Sequence, residues 1–254
     1  TLLDGWLDEE VDRLLAHAPD IVGLSVPFPG TLYGALRIGR RVRAAGVPVV
    51  MGGGYVNTEL REVSEPGLWE CVDALTYDDG EEPMVAILEH LAGGRDRRHR
   101  TRTSTGLHDA PAPSVPFNPA PWYGDLPLDR YLQVLDTLNP AHRLWSDGRW
   151  NKVTLAHGCY WRRCAFCDVN LDYIARFEPA RMDALVDLMA ELVDETGDRG
   201  FHLVDEAAPP RLLRDLALRL LDRGLRVAFW GNIRFEKAFT PDLARLLAAA
   251  GMVG

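Results

Sequence analysis

Apolar positions along the chain recur with two periods, and the two alternate. Val11, Leu14, Leu15 and Ala18 repeat at helical spacing and lead into an apolar run over 21–26. Leu32, Leu36, Gly39 and Val42 then line one helical face before a second apolar run over 47–51. A strand, a one-faced helix and another apolar strand make a βαβ unit, which implies a parallel sheet. A third run over 72–77 precedes Gly80-Glu81-Glu82-Pro83, after which Met84, Ile87, Leu88 and Leu91 mark another helix. The expected fold is a doubly wound, flavodoxin-like or Rossmann-like α/β domain over 1–94, with its ligand loops after the strands.

Periodicity fails between 93 and 145. Arg95, Arg97, Arg98, Arg100 and Arg102 come first, then Pro111, Pro113, Pro116, Pro119, Pro121 and Pro127. This composition reads as an Arg-rich and Pro-rich linker over 95–149, its arginines a solvated charged turn. Alternation resumes with a strand over 152–156, a cysteine-bearing loop, and a helix striped by Met182, Leu185, Val186, Met189, Leu192 and Val193. A strand over 200–204, a helix on Leu213, Leu216 and Leu220, and a strand over 225–230 follow. The last helix opens at Thr240-Pro241, a capping residue with proline in the first turn, and stops at Gly251, so Met252-Val253 reads as the start of another strand. Residues 150–254 thus hold three βα units and the start of a fourth, too few to close a βα barrel. The first domain opens on a helix with no strand before it. The natural protein is therefore expected to extend beyond both ends.

Composition narrows the function by exclusion. With 254 residues, 47% hydrophobic and 26% charged, the chain has the makeup of a globular protein with ample core material. Lys plus Arg number 28 against 37 for Asp plus Glu, a net charge of −9, which argues against charge-driven nucleic-acid binding. The apolar runs are too short or too interrupted to span a bilayer, and no leader pattern opens the chain, so a cytoplasmic location without membrane partners is expected.

Three of the four cysteines, Cys159, Cys164 and Cys167, fall in one loop with spacing C-x4-C-x2-C directly after a strand; Cys71 lies apart. Thiols crowded in one loop of a leaderless chain read as metal ligands or redox groups rather than as a disulfide framework. Three thiolates hold three irons of a [4Fe–4S] cube and leave the fourth iron open, whereas electron-transfer clusters use four cysteines. Other readings stand beside this one. His157 would give a zinc site its fourth ligand, Cys164 and Cys167 alone would make a dithiol motif, and Cys71 would complete an electron-carrier cluster.

The loop resembles that of radical S-adenosylmethionine enzymes, whose common spacing is C-x3-C-x2-C with an aromatic residue before the last cysteine. Phe166 takes that place here, and the first gap is one residue longer. The resemblance implies that 150–254 is the N-terminal half of that family's βα barrel, and that Cys159, Cys164 and Cys167 ligate a [4Fe–4S] cluster whose open iron is chelated by S-adenosylmethionine. The reduced cluster then cleaves the sulfonium to release a 5′-deoxyadenosyl radical. It also implies S-adenosylmethionine contacts from Phe166, from Asp205 and Glu206 after the second strand of the barrel, and from Asn232 and Arg234 after the third. Structural roles compete for two of these residues: Asp205 as a helix N-terminal acid and Arg234 as a surface ion pair.

Residues 1–94 resemble the cobalamin-binding domain that often precedes such a barrel. Ser25 follows the first strand, Gly52-Gly53-Gly54 the second and Gly80-Glu81 the third, positions that in that family surround the corrin tail. The Asp-x-His-x-x-Gly signature that supplies a lower axial histidine to cobalt is absent. The resemblance as a whole implies a cobalamin-dependent enzyme that methylates or rearranges a small-molecule or peptide substrate, with an electron donor such as flavodoxin or ferredoxin. It identifies neither the substrate nor a catalytic acid or base. The competing class is a noncatalytic zinc-binding or iron–sulfur-binding module for assembly or electron transfer.

Overall fold

Residues 1–110, 117, 120–133, 136, 138–141 and 149–254 are described in a computed structural model. The expected linker prolines Pro111, Pro113, Pro116 and Pro119 lie outside the described residues. The chain divides into two compact units, Thr1–Val115 and Pro116–Gly254.

In the first unit helix and strand alternate as the apolar periods require: α1 (Leu2–Leu15), β1 (Val22–Ser25), α2 (Pro29–Ala44), β2 (Val49–Gly52), α3 (Gly54–Thr58), β3 (Ala74–Thr76) and α4 (Glu81–Leu91). Thr1 and Asp4 close a reciprocal capping box on α1, which satisfies two of the helix's orphan donors. Strands β1, β2 and β3 lie side by side in chain order and parallel, with Val22 opposite Val49 and Met51 opposite Leu75. Because side chains alternate across a strand, Val49 and Met51 join Val11, Ala35, Val42 and Leu68 on one face of the sheet, while Val50 and Ala74 meet Ile87 of α4 on the other. Helices thus cover both faces, as the expected fold requires.

The sheet is nonetheless mixed, which corrects the purely parallel expectation. Two further strands, β4 (Thr101–Thr103) and β5 (Gly106–His108), form a hairpin inside the stretch read as linker, and β4 pairs antiparallel with β3. Thr101 and Thr103 are β-branched and suit a pleated surface, and Thr101 is fully buried. The arginines around them serve the structure. Arg98 grips Asp96, Arg100 lies 3.7 Å from Asp78, and Arg102 donates to the Arg61 carbonyl.

The second unit contains β6 (Asn151–Val153), β7 (Ala156–His157), α5 (Asp172–Ala175), β8 (Glu178–Pro179), α6 (Met182–Thr196), β9 (Gly200–Leu203), α7 (Pro210–Arg223), β10 (Ala228–Gly231) and α8 (Pro241–Ala250). Strands β6, β9 and β10 are parallel neighbours in chain order. Val153, Phe201, Leu203 and Phe229 point to one face and are buried with Leu185, Met189, Leu213, Leu216 and Leu247 of the three long helices. Each large side chain buried there contributes about 1.5–3 kcal/mol. Met252 bridges Phe229 in parallel, and the Val253 N–H donates to the Phe229 carbonyl at 2.8 Å, so the segment after α8 runs alongside β10. Among the described residues the sheet stays open and closes no barrel. Among the described residues no helix is long and apolar enough to cross a membrane.

The expected strand over 152–156 is broken in two. β6 runs with β9 as far as Val153, then the chain turns aside and β7 pairs antiparallel with β8, Ala156 opposite Pro179 and His157 opposite Glu178. The cysteine loop therefore follows β7 rather than a strand of the parallel sheet.

Candidate functional site

The loop from Gly158 to Phe177 leaves and returns through the two-stranded β7–β8 ladder, so its ends are fixed while its middle carries the cysteines. Gly158 sits at φ +70°, where a Cβ would collide with the Arg176 carbonyl oxygen, so only glycine fits this exit from the ladder. The next residue is tied at once, as the Cys159 N–H donates to the Ile174 carbonyl at 2.9 Å. The Cys167 N–H donates to the Cys164 carbonyl at 3.3 Å, and the Val169 N–H to the Cys167 carbonyl at 2.8 Å, which folds the second half of the loop into turns.

All three loop thiols are half-buried and free of disulfides. Burial pushes the Cys167 thiol above its ordinary pKa, and the neighbouring Cys164, Cys159, Asp168 and Glu206 push it further the same way. Cys167 therefore sits among two further thiols and two carboxyls. Ionising Cys167 is unfavourable until a positively charged group enters, which is the condition under which metal binding displaces protons.

Their arrangement does not suit a single ion. Thiolates on one zinc each stand about 2.3 Å from the metal, and among the described residues no three of His, Cys, Asp and Glu converge in that way. The His157 ring is engaged elsewhere: Nδ1 lies 3.0 Å from the Arg176 carbonyl oxygen, Nε2 lies 3.4 Å from the Arg176 guanidinium, and Phe117 packs edge-on at 5.7 Å. Cys71 is 4% exposed within the first unit's own core, with its thiol 3.9 Å from the Gly67 carbonyl. Three thiols in one loop are the kind of donors that a polynuclear iron–sulfur group with one open iron would require.

Asp205 follows β9 and is buried at 7% exposure. Its Oδ2 accepts the Leu155 N–H at 2.8 Å and its Oδ1 the Ala156 N–H at 3.0 Å. These are the two backbone donors left over where β6 ends and β7 begins. The carboxylate thus bridges the break in the strand, a role different from the helix N-terminal one the sequence offers. Burial raises its pKa above the ordinary value, against the pull of the Leu155 and Ala156 N–H groups. Glu206, beside it, is exposed and lies in the field of Cys167.

Arg234 holds the start of the loop. Its guanidinium lies 3.3 Å from the centroid of the Trp161 ring and pairs with Glu236, which accepts the Tyr160 hydroxyl at 3.2 Å. Arg163 covers the same indole at 5.2 Å. Tyr160 and Trp161 occupy the long gap between the first two cysteines, so the extra residue there goes with an aromatic pair clamped to the segment after β10. A cavity of about 310 Å³ opens between Tyr160 and Phe177 of the loop and Pro209, Pro210 and Glu236 of the rim. Phe166 is 92% exposed and the Asn232 side chain is exposed, while the Asn232 carbonyl accepts the Ala208 N–H at 2.8 Å. The clamp escaped the reading of the sequence, although Tyr160-Trp161 inside a cysteine motif is its visible sign.

In the first unit Ser25, the glycine triplet and Gly80-Glu81 all lie at the same ends of β1, β2 and β3. The triplet is explained by its own surroundings. A Cβ on Gly52 would meet Thr76 Oγ1 at 2.6 Å, and one on Gly53, at φ +109°, would meet Val26 backbone atoms at 2.8–2.9 Å. Gly80 has nothing within 4 Å of such a Cβ, and Ser25 and Glu81 are exposed. A cavity of about 660 Å³ in this unit is lined by Leu36, Leu60, Leu68 and Cys71 and touches none of the three. Gly80→Ala is therefore expected to leave thermal stability within about 0.5 kcal/mol of the parent. Gly53→Ala is expected to lose about 1–3 kcal/mol or more through strain at positive φ. Chemical denaturation of the two variants checks the contrast, and equal losses would refute it.

No known protein family and no curated protein matches the chain.

Proposed function

We propose that the chain is a cobalamin-dependent radical S-adenosylmethionine enzyme, or the part of one that holds the cluster. One observation carries the reading: three half-buried thiols in a C-x4-C-x2-C loop that follows the first strand of a parallel βα array by way of β7, with the Cys167 thiol pushed up by burial and by its acidic neighbours. A [4Fe–4S] cluster with an open iron supplies the electron for reductive cleavage of S-adenosylmethionine, and cobalamin supplies a methyl group or a second redox centre.

The chain's own residues position and shelter that chemistry. Cys159, Cys164 and Cys167 ligate the cluster. Gly158 and the β7–β8 ladder hold the loop at its base, and Asp205 fixes the strand from which it leaves. Arg234 and Glu236 hold Tyr160 and Trp161 and so set the long first gap. Glu206, Asn232 and Phe166 are exposed near the loop or rim, where contacts to a bound S-adenosylmethionine are available. Asp205 and Arg234 act on this reading as positioning residues. Ser25, Gly80 and Glu81 keep free surface for a corrin, whereas Gly52, Gly53 and Gly54 shape the strand end beneath it.

Anaerobic reconstitution with iron and sulfide, followed by metal analysis and low-temperature EPR of the reduced protein, tests the reading. About four irons per chain and a spectrum that changes on adding S-adenosylmethionine are expected. A cluster indifferent to S-adenosylmethionine, or tightly held zinc in its place, would put the noncatalytic assembly or electron-transfer module ahead.

A further inference from the structure

The face of the β6–β9–β10 sheet opposite the helices carries a row of three side chains outside the site described above. Lys152 stands opposite His202 across β6 and β9, and His202 stands opposite Trp230 across β9 and β10. Their neighbours Val153, Phe201, Leu203 and Phe229 are buried under the helices, so alternation along each strand turns the three to the opposite face. The His202 ring lies flat on the Trp230 indole, 3.8 Å between centroids and 7° between planes. Lys152 Nζ lies 3.3 Å from His202 Nδ1. An ammonium only donates, so Nδ1 accepts and the ring carries its proton on Nε2.

We propose that Lys152, held by His202 on its Trp230 platform, anchors an oxyanion of the substrate, a carboxylate or a phosphate. This rests on the cysteine-loop reading above, because β6, β9 and β10 lead into the segments that carry the cysteines, Asp205 and Arg234.

The chemistry of the row selects the ligand class. Every polar hydrogen it presents is a donor: the Lys152 ammonium, His202 Nε2–H and the Trp230 indole N–H. Among the described residues no carboxylate pairs with Lys152, whose ordinary pKa is lowered by burial alone. His202 is likewise kept neutral, first by burial and then by Lys152. The choice of lysine also stands out within the chain. Of its 28 basic residues only Lys152 and Lys237 are lysines, and the ion pairs described above are made by arginine. An arginine would reach a carboxylate as a fixed fork, whereas a lysine places a point charge that a neighbouring ring can steer.

Having only two lysines makes the test internal. The whole chain is reductively methylated with formaldehyde and borohydride, and labelling of Lys152 relative to Lys237 is followed by mass spectrometry at constant ionic strength. Chloride, inorganic phosphate and succinate are compared. Saturable protection of Lys152 alone is expected from phosphate or succinate, about tenfold at ten times the dissociation constant, and the effective anion identifies the class. His202→Gln is expected to abolish protection while Lys152 still reacts and the circular dichroism spectrum is unchanged. Equal protection of both lysines, protection by none of the anions, or full protection in His202→Gln would overturn the proposal. The measurement needs neither iron nor S-adenosylmethionine, so its failure is separate from failure of the cluster reading.

Discussion

Replacing Asp205 by alanine is expected to destabilise the second unit by about 2–5 kcal/mol, because two buried backbone N–H groups lose their acceptor together. Leu155 and Ala156 donate to the two carboxylate oxygens at the point where the strand changes partners, and no water-exposed alternative is at hand for a residue 7% exposed. That loss is a large share of the 5–15 kcal/mol that holds a typical domain. Asp205→Asn keeps one acceptor and turns an amide NH2 toward the other N–H, so about half of the penalty is expected. Urea unfolding gives both numbers, and limited proteolysis reports whether the loop at 158–177 opens first. The same variants separate two roles. A residue that only contacts S-adenosylmethionine would lose binding and keep its stability. A residue that bridges the strand loses stability with or without a ligand. If Asp205→Ala unfolds at the parental urea concentration, the bridging role is wrong.

Cys164→Ala is expected to lower reconstituted iron from about four per chain to below one, since a cube held by three thiolates is left with two. Loss of the S-adenosylmethionine-dependent change in the EPR spectrum follows from the same substitution. The side chain is half-buried in a loop rather than in the core, so thermal stability of the iron-free chain is expected to stay within about 0.5 kcal/mol of the parent. Cys71→Ala gives the opposite pair of results. That thiol is packed in the first unit's core, so some stability is lost and iron binding is unchanged. Iron retained in Cys164→Ala, or lost in Cys71→Ala, would favour a different ligand set, the second of these a four-cysteine electron carrier.

Much of the architecture was legible because burial imposes period. Strands β1, β2, β3, β9 and β10 and the helices between them lie within two or three residues of where the apolar runs put them, and Gly251 stops the last helix as expected. The β4–β5 hairpin was not legible. Its strands are three residues each, polar and arginine-flanked, and an edge hairpin needs no apolar stripe to form. The cysteine loop could be found from spacing alone, since ligand chemistry is local in sequence.

What surrounds the cysteine loop is decided at long range. Asp205 lies 50 residues from Leu155, Arg234 lies 73 from Trp161, and His202 lies 50 from Lys152. No periodicity connects such pairs, because each is made by strands brought side by side. The sequence by itself determined the order of βα units and the three thiols that define the candidate centre. Only the tertiary structure decided that Asp205 and Arg234 hold the loop in place and that Lys152 faces outward beside a neutral imidazole. A carboxylate or a guanidinium takes its role from whichever donors, acceptors and rings the fold leaves beside it.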